Sequence, residues 1–202
     1  MLPGFGDTRR KLPWHLRKRE EAPTFEYAFR PATRADLGDV REIYNHYVTN
    51  SVVTFDEKPS TLKYWQEKFD MLQKLGLPMI VAVSPNDQVL GYALVQPLSA
   101  KSAYRYSAEN SIYLGPGATG KGLGAPLLDE LITACRDADL REIIAVISDS
   151  GADASIKLHK KAGFKEVGRM GGVGYKFGRS LGTITMQKSL KEPKTKRFAR
   201  RS

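Results

Sequence analysis

The sequence predicts one α/β domain, in which a mixed sheet carries helices packed against it. Its 202 residues, 41% of them hydrophobic, are enough to bury one good core. In some segments the apolar residues alternate or form short runs, which is typical of strands. In others they recur every three or four residues, which is typical of helices. Taken in order, these segments predict the arrangement β-α-α-β-β-β-α-β-α-β-β.

Each element is predicted from its own pattern. Thr33 and Asp36 have the spacing of a helix N-cap and its third residue, and Ser60 is placed to cap the second helix, which Gly76 ends. The glycine-rich tract over residues 168–182 is predicted to be a flexible loop. Helical spacing covers residues 37–47, 60–75, 120–138 and 153–163, and strand patterns cover residues 24–30, 78–83, 89–98, 109–114, 141–148, 164–172 and 182–190.

The positive charge is concentrated at the two ends of the chain. The formal net charge is +10, of which residues 1–21 contribute +3 and residues 191–202 contribute +5. We therefore expect a basic, flexible N-terminal extension over residues 1–23, one domain over residues 24–190, and a basic, disordered tail over residues 191–202. A nucleic-acid partner would have to bind these ends, and we do not expect one.

Composition also excludes several classes of protein. No apolar run approaches the roughly 18 residues that span a bilayer, and the N-terminal residues lack the apolar core of a secretory signal. The single cysteine, Cys135, excludes an internal disulfide, and its position on an apolar helix face after Leu128 and Leu131 places it in the core. We therefore expect a cytoplasmic protein without a membrane partner and without a metal cluster.

Residues 115–124 contain five glycines between a predicted strand and a predicted helix, where backbone N–H groups often bind phosphates. Three patterns overlap there. A triphosphate loop needs Ser or Thr after its lysine to hold Mg²⁺, and Gly122 stands in that position, which disfavours this interpretation. A dinucleotide site with Asp149 as its ribose acid stays open, although such a site normally begins its domain. The third interpretation is a pyrophosphate site for a ligand such as coenzyme A.

Two further segments carry a resemblance to a known family. Residues 155–164, SIKLHKKAGF, resemble the second cofactor motif of the GCN5-related N-acetyltransferases (GNAT), S-x-x-L-(Tyr/His)-x-x-x-G-F. Residues 103–113, AYRYSAENSIY, are similar to the segment before the glycine-rich loop in the phosphinothricin and methionine sulfoximine N-acetyltransferases. The stretches RPATRADL, NHYVTNSVVTF and IIAVIS also match that subfamily. The resemblance covers roughly residues 29–190.

The resemblance implies a fold, a reaction and partners. The fold is the GNAT α/β fold, a mixed central sheet with helices on both faces and a splay between its central parallel strands. The reaction is direct attack of the primary amine of a small amino acid or analogue on the thioester of acetyl-CoA, with no metal, in a homodimer. Alternatives are a GNAT enzyme that acetylates a different amine (a polyamine, an antibiotic or a protein N-terminus) and an acyl-CoA-binding module with weak turnover.

The resemblance also assigns roles to residues. Glu109 would be the general base that takes a proton from the ammonium, and His159 would either protonate the leaving thiolate or pack against the cofactor. The loop over residues 98–108 and a helical region around Phe55 would line the acceptor pocket. The implied cofactor-binding residues are Tyr113, Leu114, Thr119, Gly120, Lys121, Gly122, Leu123, Gly124, Ser155 and His159, and the implied acceptor-binding residues are Phe55, Lys101, Tyr104 and Arg105.

The sequence departs from the family pattern at several positions. Relatives often have an Arg near Lys101, and a lysine cannot bind a carboxylate through two parallel hydrogen bonds as an arginine does. Thr119 stands where the cofactor loop usually begins with Gln or Arg, and Ala152 stands where relatives often have an Asn that bonds the pantetheine. A Trp and an Asp that relatives have near Ser180 and Gly182 are absent. We therefore expect the acceptor pocket to differ from that of relatives more than the reaction does.

Overall fold

The computed structural model describes residues 25–190, so the predicted basic extension over residues 1–23 and the tail over residues 191–202 lie outside the described residues. The described chain forms one sheet of seven strands and four α-helices. The strands are β1 (Ala28–Pro31), β2 (Met79–Val83), β3 (Val89–Pro97), β4 (Ser107–Leu114), β5 (Glu142–Ser148), β6 (Lys165–Lys176) and β7 (Arg179–Ser189); the helices are α1 (Leu37–Asn50), α2 (Leu62–Lys74), α3 (Gly124–Asp137) and α4 (Asp153–Lys161). In the sheet the strands follow the order β1-β2-β3-β4-β5-β7-β6.

Helices cover both faces of the sheet, as predicted. On one face α1 and α2 pack against β2 and β3 through a cluster that includes Leu37, Trp65 and Tyr92. On the other face α3 packs against the central strands, and Ala93 and Ile143 belong to that cluster. Alternate residues of β2 and β3 enter the two clusters, because successive side chains of a strand point to opposite faces. The predicted mixed sheet with helices on both faces is confirmed.

The centre of the sheet opens where two parallel strands separate. Between residues 25 and 190 the strands β4 and β5 form the only parallel pair, and they pair over just three residues, ending at Glu109 and Ile144. Beyond that point β4 continues beside β3 as far as Leu114, and β5 continues beside β7 as far as Ser148. The gap between them is the splay that the resemblance implied.

The core contains the cysteine. Along α3 the fully or almost fully buried side chains are Leu127, Leu128, Leu131, Ile132 and Cys135. Burial raises the pKa of the Cys135 thiol to about 12, so the thiol stays protonated and behaves as a small apolar group. The prediction that Cys135 lies in the core is confirmed. No helix within residues 25–190 is both long enough and apolar enough to cross a membrane.

Two local predictions near α2 were wrong. The hydroxyl of Thr61, not that of Ser60, accepts the hydrogen bond from the N–H of Tyr64 at 3.1 Å and caps the helix. The Ser60 hydroxyl instead accepts a hydrogen bond from Nε1–H of Trp65 at 2.8 Å. Phe55 does not lie in a helical region, because the segment between α1 and α2 has no helical residues before α2 begins.

The glycine-rich tract over residues 168–182 is not a flexible loop but most of the hairpin formed by β6 and β7. Phe177 and Gly178 join the strands, and both have positive φ, as a type I′ hairpin turn requires. Gly174 lies so close to the ring of Phe55 that a Cβ there would overlap the ring. These glycines therefore serve a turn and a close contact, which local composition does not distinguish from flexibility.

Candidate active site

A cavity of about 480 Å³, which we call the splay cavity, lies in the gap between β4 and β5. The end of β4, the glycine-rich loop, β5 and the start of α4 form its walls. Most residues predicted to bind the cofactor line it: Tyr113, Leu114, Thr119, Gly120, Gly122, Gly124, Ser155 and His159. The side chains of Lys121 and Leu123 do not line it, because the Lys121 ammonium lies 4.6 Å from the centre of the Phe25 ring and Leu123 is buried in the core.

The glycine-rich loop presents backbone N–H groups before α3. Gly120 and Gly122 have φ angles of 75° and 81°, in the left-handed region that favours glycine, and no atom lies within 4 Å of the place where a Cβ would stand. In the described part of the chain, the N–H groups of residues 119–123 donate no hydrogen bond to a protein acceptor. Such free N–H groups at a helix N-terminus bind phosphates, and the helix dipole adds to the attraction. The loop therefore fits a pyrophosphate.

The carboxylate of Asp149 is already hydrogen-bonded within the protein and is not free to bind a ribose. Its carboxylate accepts a hydrogen bond from the N–H of Gly182 at 2.9 Å. A Cβ on Gly182 would overlap this carboxylate, so the absence of a side chain at residue 182 makes room for Asp149. The dinucleotide interpretation thus loses its acidic residue, and the departure at Gly182 has a structural reason.

His159 lies on the floor of the splay cavity, where it is 2% exposed and both ring nitrogens are hydrogen-bonded. Nδ1 lies 2.8 Å from the carbonyl oxygen of Ser155, which can only accept, so Nδ1 carries the hydrogen. Nε2 therefore accepts a hydrogen bond from Nδ2 of Asn110 at 3.0 Å. Burial lowers the pKa of His159, against the opposing effect of its hydrogen bond to Ser155. The ring is thus neutral, with no free N–H.

Asn110 is a cavity residue that the sequence did not single out. It follows Glu109 on β4 and points to the other face of the sheet, towards α4. Its Oδ1 is buried and, within the described residues, has no hydrogen-bond partner. Such an orphaned acceptor in a cavity wall fits a ligand that carries an N–H group, and pantetheine has two amides.

A second cavity, of about 350 Å³, which we call the acceptor cavity, lies on the face of the sheet that carries α1 and α2. Its floor is formed by β3, β4, β5 and β7, and its roof by α1, α2 and the segment around Phe55. The two cavities share Val53, Ser111, Tyr113 and Val146. They therefore meet at the splay, one approaching it from each side of β4.

Glu109 lies on the floor of the acceptor cavity, at the last residue of β4 that pairs with β5. Its side chain is half-buried, and this loss of solvation raises the pKa of the carboxyl group above its usual range. The positive charge of Lys68 partly opposes the rise. A carboxyl group in a cavity with a raised pKa is a candidate for proton exchange with a substrate.

Of the residues predicted to bind the acceptor, the structure brings only one to this cavity. Phe55 lines it, whereas Lys101, Tyr104 and Arg105 are exposed on the connection between β3 and β4 and line neither cavity. The guanidinium of Arg105 lies 4.7 Å from the centre of the Tyr106 ring. Within residues 25–190, no group of three or more His, Cys, Asp or Glu side chains is arranged to hold a metal ion.

Comparison with known proteins adds to this geometry. The sequence profile of the acetyltransferase (GNAT) family matches residues 40–164, more than half of the chain. The chain belongs to the GNAT family. This GNAT chain is 37% identical over 155 residues to phosphinothricin N-acetyltransferase of Alcaligenes faecalis, which covers 77% of the chain and 78% of the relative. It is 39% identical over 163 residues to the L-methionine sulfoximine/L-methionine sulfone acetyltransferase of Pseudomonas aeruginosa. That alignment covers 81% of the chain and 94% of the relative.

A solved structure extends the similarity to the fold. The crystal structure of a GNAT phosphinothricin acetyltransferase from Sinorhizobium meliloti, in complex with acetyl-CoA, superimposes with a TM-score of 0.77 at 40% identity. The match covers 81% of this GNAT chain and 88% of that one. The GNAT assignment made from the glycine-rich loop and residues 155–164 is thus confirmed, and the chain is an N-acetyltransferase.

Several residues that line the acceptor cavity of this GNAT enzyme were missed by the sequence analysis. One signal was available for Lys68, because it lies three residues after Trp65 and so shares a helix face with it. No local signal marked the others, which come from α1, the segment around Phe55 and three strands that only the fold brings together. The missed lining residues with polar groups include Tyr44, Asp56, Lys68, Tyr92, Gln96, Ser148 and Thr183.

Proposed function

We propose that this chain transfers the acetyl group of acetyl-CoA to the primary amine of a small amino acid or analogue, of the phosphinothricin or methionine sulfoximine type. The observation that carries the proposal is the meeting of the two cavities at Ser111 and Tyr113. A thioester at the end of the splay cavity and an amine in the acceptor cavity would be neighbours there. The named activities of the two relatives support this acceptor class.

The splay cavity fits acetyl-CoA, which supplies the thioester. The N–H groups of the loop from Thr119 to Leu123 hold the pyrophosphate, and the backbone of β4 beyond Glu109, freed from pairing with β5, is available to the pantetheine arm. A backbone N–H on the same part of β4 stabilises the negative charge that develops on the carbonyl oxygen. These roles need no side chain from Lys121 or Leu123.

Glu109 acts as the general base. An amine that arrives as ammonium has no free electron pair, so its proton must be removed before the nitrogen attacks the thioester carbon. The Glu109 carboxylate faces the acceptor cavity, and its raised pKa makes it a better proton acceptor than an exposed carboxylate. The Glu109 carboxylate takes up the proton, directly or through a water molecule, and releases it to solvent. As the new C–N bond forms, the C–S bond of the thioester breaks, and coenzyme A leaves as a thiolate that takes a proton from solvent.

His159 acts by packing and positioning. In its neutral ring, Nδ1–H donates a hydrogen bond to the Ser155 carbonyl oxygen, and Nε2 accepts one from the side chain of Asn110. This geometry favours the second of the two roles that the resemblance offered, because a proton donor to the thiolate needs an N–H that faces the cavity. Asn110 is left with Oδ1 as an acceptor for the cofactor arm.

Lys101, Tyr104 and Arg105 act at the mouth of the acceptor cavity. The connection that carries them, residues 98–106, joins β3 to β4. Gln96 near the end of β3 and Glu109 near the start of β4 both line the cavity. Their side chains would contact the acceptor as it enters. Exposure of all three is consistent with a role at the rim.

We also propose that the enzyme is a cytoplasmic homodimer. Strand β6 is the edge of the sheet and exposes a row of apolar side chains: Val167, Met170, Val173, Tyr175 and, in the adjoining turn, Phe177. An exposed apolar edge strand is a favourable surface for a second copy of the chain. Light scattering coupled to size exclusion measures the mass in solution, and a monomer at micromolar concentration would overturn the homodimer.

The release of free thiol from acetyl-CoA tests the proposed activity. The panel of amines is phosphinothricin, methionine sulfoximine, methionine sulfone, glutamate, spermidine and a peptide N-terminus. Saturable turnover with either of the first two is the expected result. Turnover only with spermidine or the peptide would refute the acceptor class, and no turnover despite an acetyl-CoA-dependent rise in melting temperature would indicate a binding module.

A further inference from the structure

Among the described residues, the acceptor cavity is lined by two carboxylate side chains and one cationic side chain. Three charged side chains line it: Asp56, Lys68 and Glu109. Lys68 is thus the single cation among the described residues that line this cavity. Small amino acids carry an ammonium and a carboxylate on the same carbon, so a site for them needs one group of each sign in close proximity.

Lys68 is held over the cavity without a carboxylate partner. It is half-buried on α2, with its Nζ 5.5 Å from the centre of the Trp65 ring and 5.6 Å from that of the Tyr64 ring. The hydroxyl of Tyr64 accepts a hydrogen bond from Nζ at 3.4 Å. Within residues 25–190 no carboxylate oxygen lies within 4.0 Å of Nζ. The aromatic rings therefore orient an ammonium that keeps its capacity to bind an anion.

The other charged groups around the cavity are already engaged or serve another task. Asp56 accepts a hydrogen bond from the hydroxyl of Tyr44 at 2.6 Å. The buried ammonium of Lys176, behind the segment around Phe55, donates to the carbonyl oxygen of Thr54 at 2.8 Å. Glu109 is close enough to Lys68 for the lysine to affect its pKa, yet the two do not form an ion pair. A ligand between Lys68 and Glu109 could contact both.

Two buried hydroxyls indicate that the cavity is built for a polar ligand. The hydroxyls of Tyr92 and Thr183 line it, are buried, and have no hydrogen-bond partner among the described residues. Tyr92 is fully buried and lies beneath Trp65, with the two ring centres 5.5 Å apart. Because an unpaired buried hydroxyl costs free energy, such groups commonly face a ligand or an ordered water.

We propose that Lys68 binds the carboxylate of the acceptor and thereby selects α-amino acids over amines that lack a carboxylate. With the carboxylate at Lys68, the amino group on the same carbon lies towards Glu109, the base. A lysine binds a carboxylate as a point charge rather than through the two parallel hydrogen bonds that an arginine makes. This inference rests on the proposed function, because it assigns one part of the same acceptor site.

Substitution of Lys68 gives a test with an internal comparison. The acceptors are methionine sulfoximine and the amine obtained from it by removing the carboxylate, each tested at saturating acetyl-CoA. Lys68→Met should lower kcat/KM for the amino acid about 10- to 100-fold, the effect of one lost charge-assisted hydrogen bond, mainly through KM. The decarboxylated amine should lose little, and Lys68→Arg should retain the preference for the amino acid.

The matched control is Lys63→Met on the same helix, since Lys63 is 83% exposed and its ion pair within residues 25–190 is with Glu67 at 3.8 Å. This variant should behave as the wild type with both acceptors. An equal loss with both acceptors in Lys68→Met would overturn the inference, because it would mean that Lys68 acts through Glu109 or through folding. No loss at all would also overturn it. A wild-type enzyme that acetylates no amino acid refutes the proposed function itself, and this is visible before any variant is made.

Discussion

Glu109→Gln separates chemistry from cofactor binding in this enzyme. The substitution keeps the size of the side chain but removes its negative charge and its capacity to accept a proton. Glu109 faces the acceptor cavity, whereas its neighbour Asn110 faces the splay cavity, so the change does not touch the cofactor site. General-base assistance contributes on the order of 10²- to 10⁴-fold to rates, and kcat/KM for the amine should fall by that factor. The affinity for acetyl-CoA should not change.

The pH dependence follows from the direction of the pKa shift. Burial raises the pKa of Glu109, and the carboxylate is the form that accepts the proton. In the wild type, kcat/KM should therefore decline as the pH falls through this raised pKa, at a higher pH than an exposed glutamate would give. In Glu109→Gln this acidic decline should disappear, leaving only the titration of the amine. Removal of the charge in Lys68→Met should move the decline to higher pH, because Lys68 holds the Glu109 pKa down.

The assay is thiol release from acetyl-CoA across the pH range, combined with calorimetric titration of acetyl-CoA. Glu67→Gln is the matched control, since Glu67 is 67% exposed on α2 and the substitution makes the same change of charge. A fall in kcat/KM of less than about tenfold, or an acidic decline that persists in Glu109→Gln, would remove Glu109 from the mechanism. A large loss of acetyl-CoA affinity would show that the two cavities are not independent.

Three further changes test the cofactor loop, the buried histidine and the hairpin. Gly122→Ala should cost about 1–2 kcal/mol of stability because its φ is 81°, and it should raise the KM for acetyl-CoA, whereas Gly117→Ala, at a glycine without positive φ, should do neither; thermal unfolding and initial rates measure both. His159→Gln should raise the KM for acetyl-CoA and leave kcat within a few-fold, while a kcat lower by about 10²-fold or more at unchanged KM would make His159 the proton donor instead. Lys176→Met removes the hydrogen bond from Nζ to the carbonyl oxygen of Thr54, which lines the acceptor cavity, so the KM for the acceptor should rise more than that for acetyl-CoA. An equal rise of both KM values, or a lower melting temperature with unchanged KM values, would contradict this role.

The local elements were largely predictable because their signals are local. The stripe along α3, the hairpin of β2 and β3, and the spacing of Thr33 and Asp36 depend on residues only a few positions apart. The exceptions have physical reasons. Ser60 and Thr61 can both accept a hydrogen bond. Because Trp65 packs against α1 and β3, its indole N–H donates to the Ser60 hydroxyl, and Thr61 is left to cap α2. Gly174 lies in β6, and its lack of a side chain makes room for the ring of Phe55. That ring comes from a distant segment, so the contact leaves no local signal in the sequence.

By itself, the sequence determined the family, the fold class and the cosubstrate. The glycine-rich loop and residues 155–164 are each one short continuous segment, so their motifs can be recognised without the fold. Only the tertiary structure decided the acceptor site. Its lining comes from two helices, four strands and the segment around Phe55, brought together by the sheet order and by the separation of β4 from β5. Which lysine lines this cavity therefore depends on how α2 packs over the sheet. That packing is a sum of long-range contacts, which local patterns do not encode.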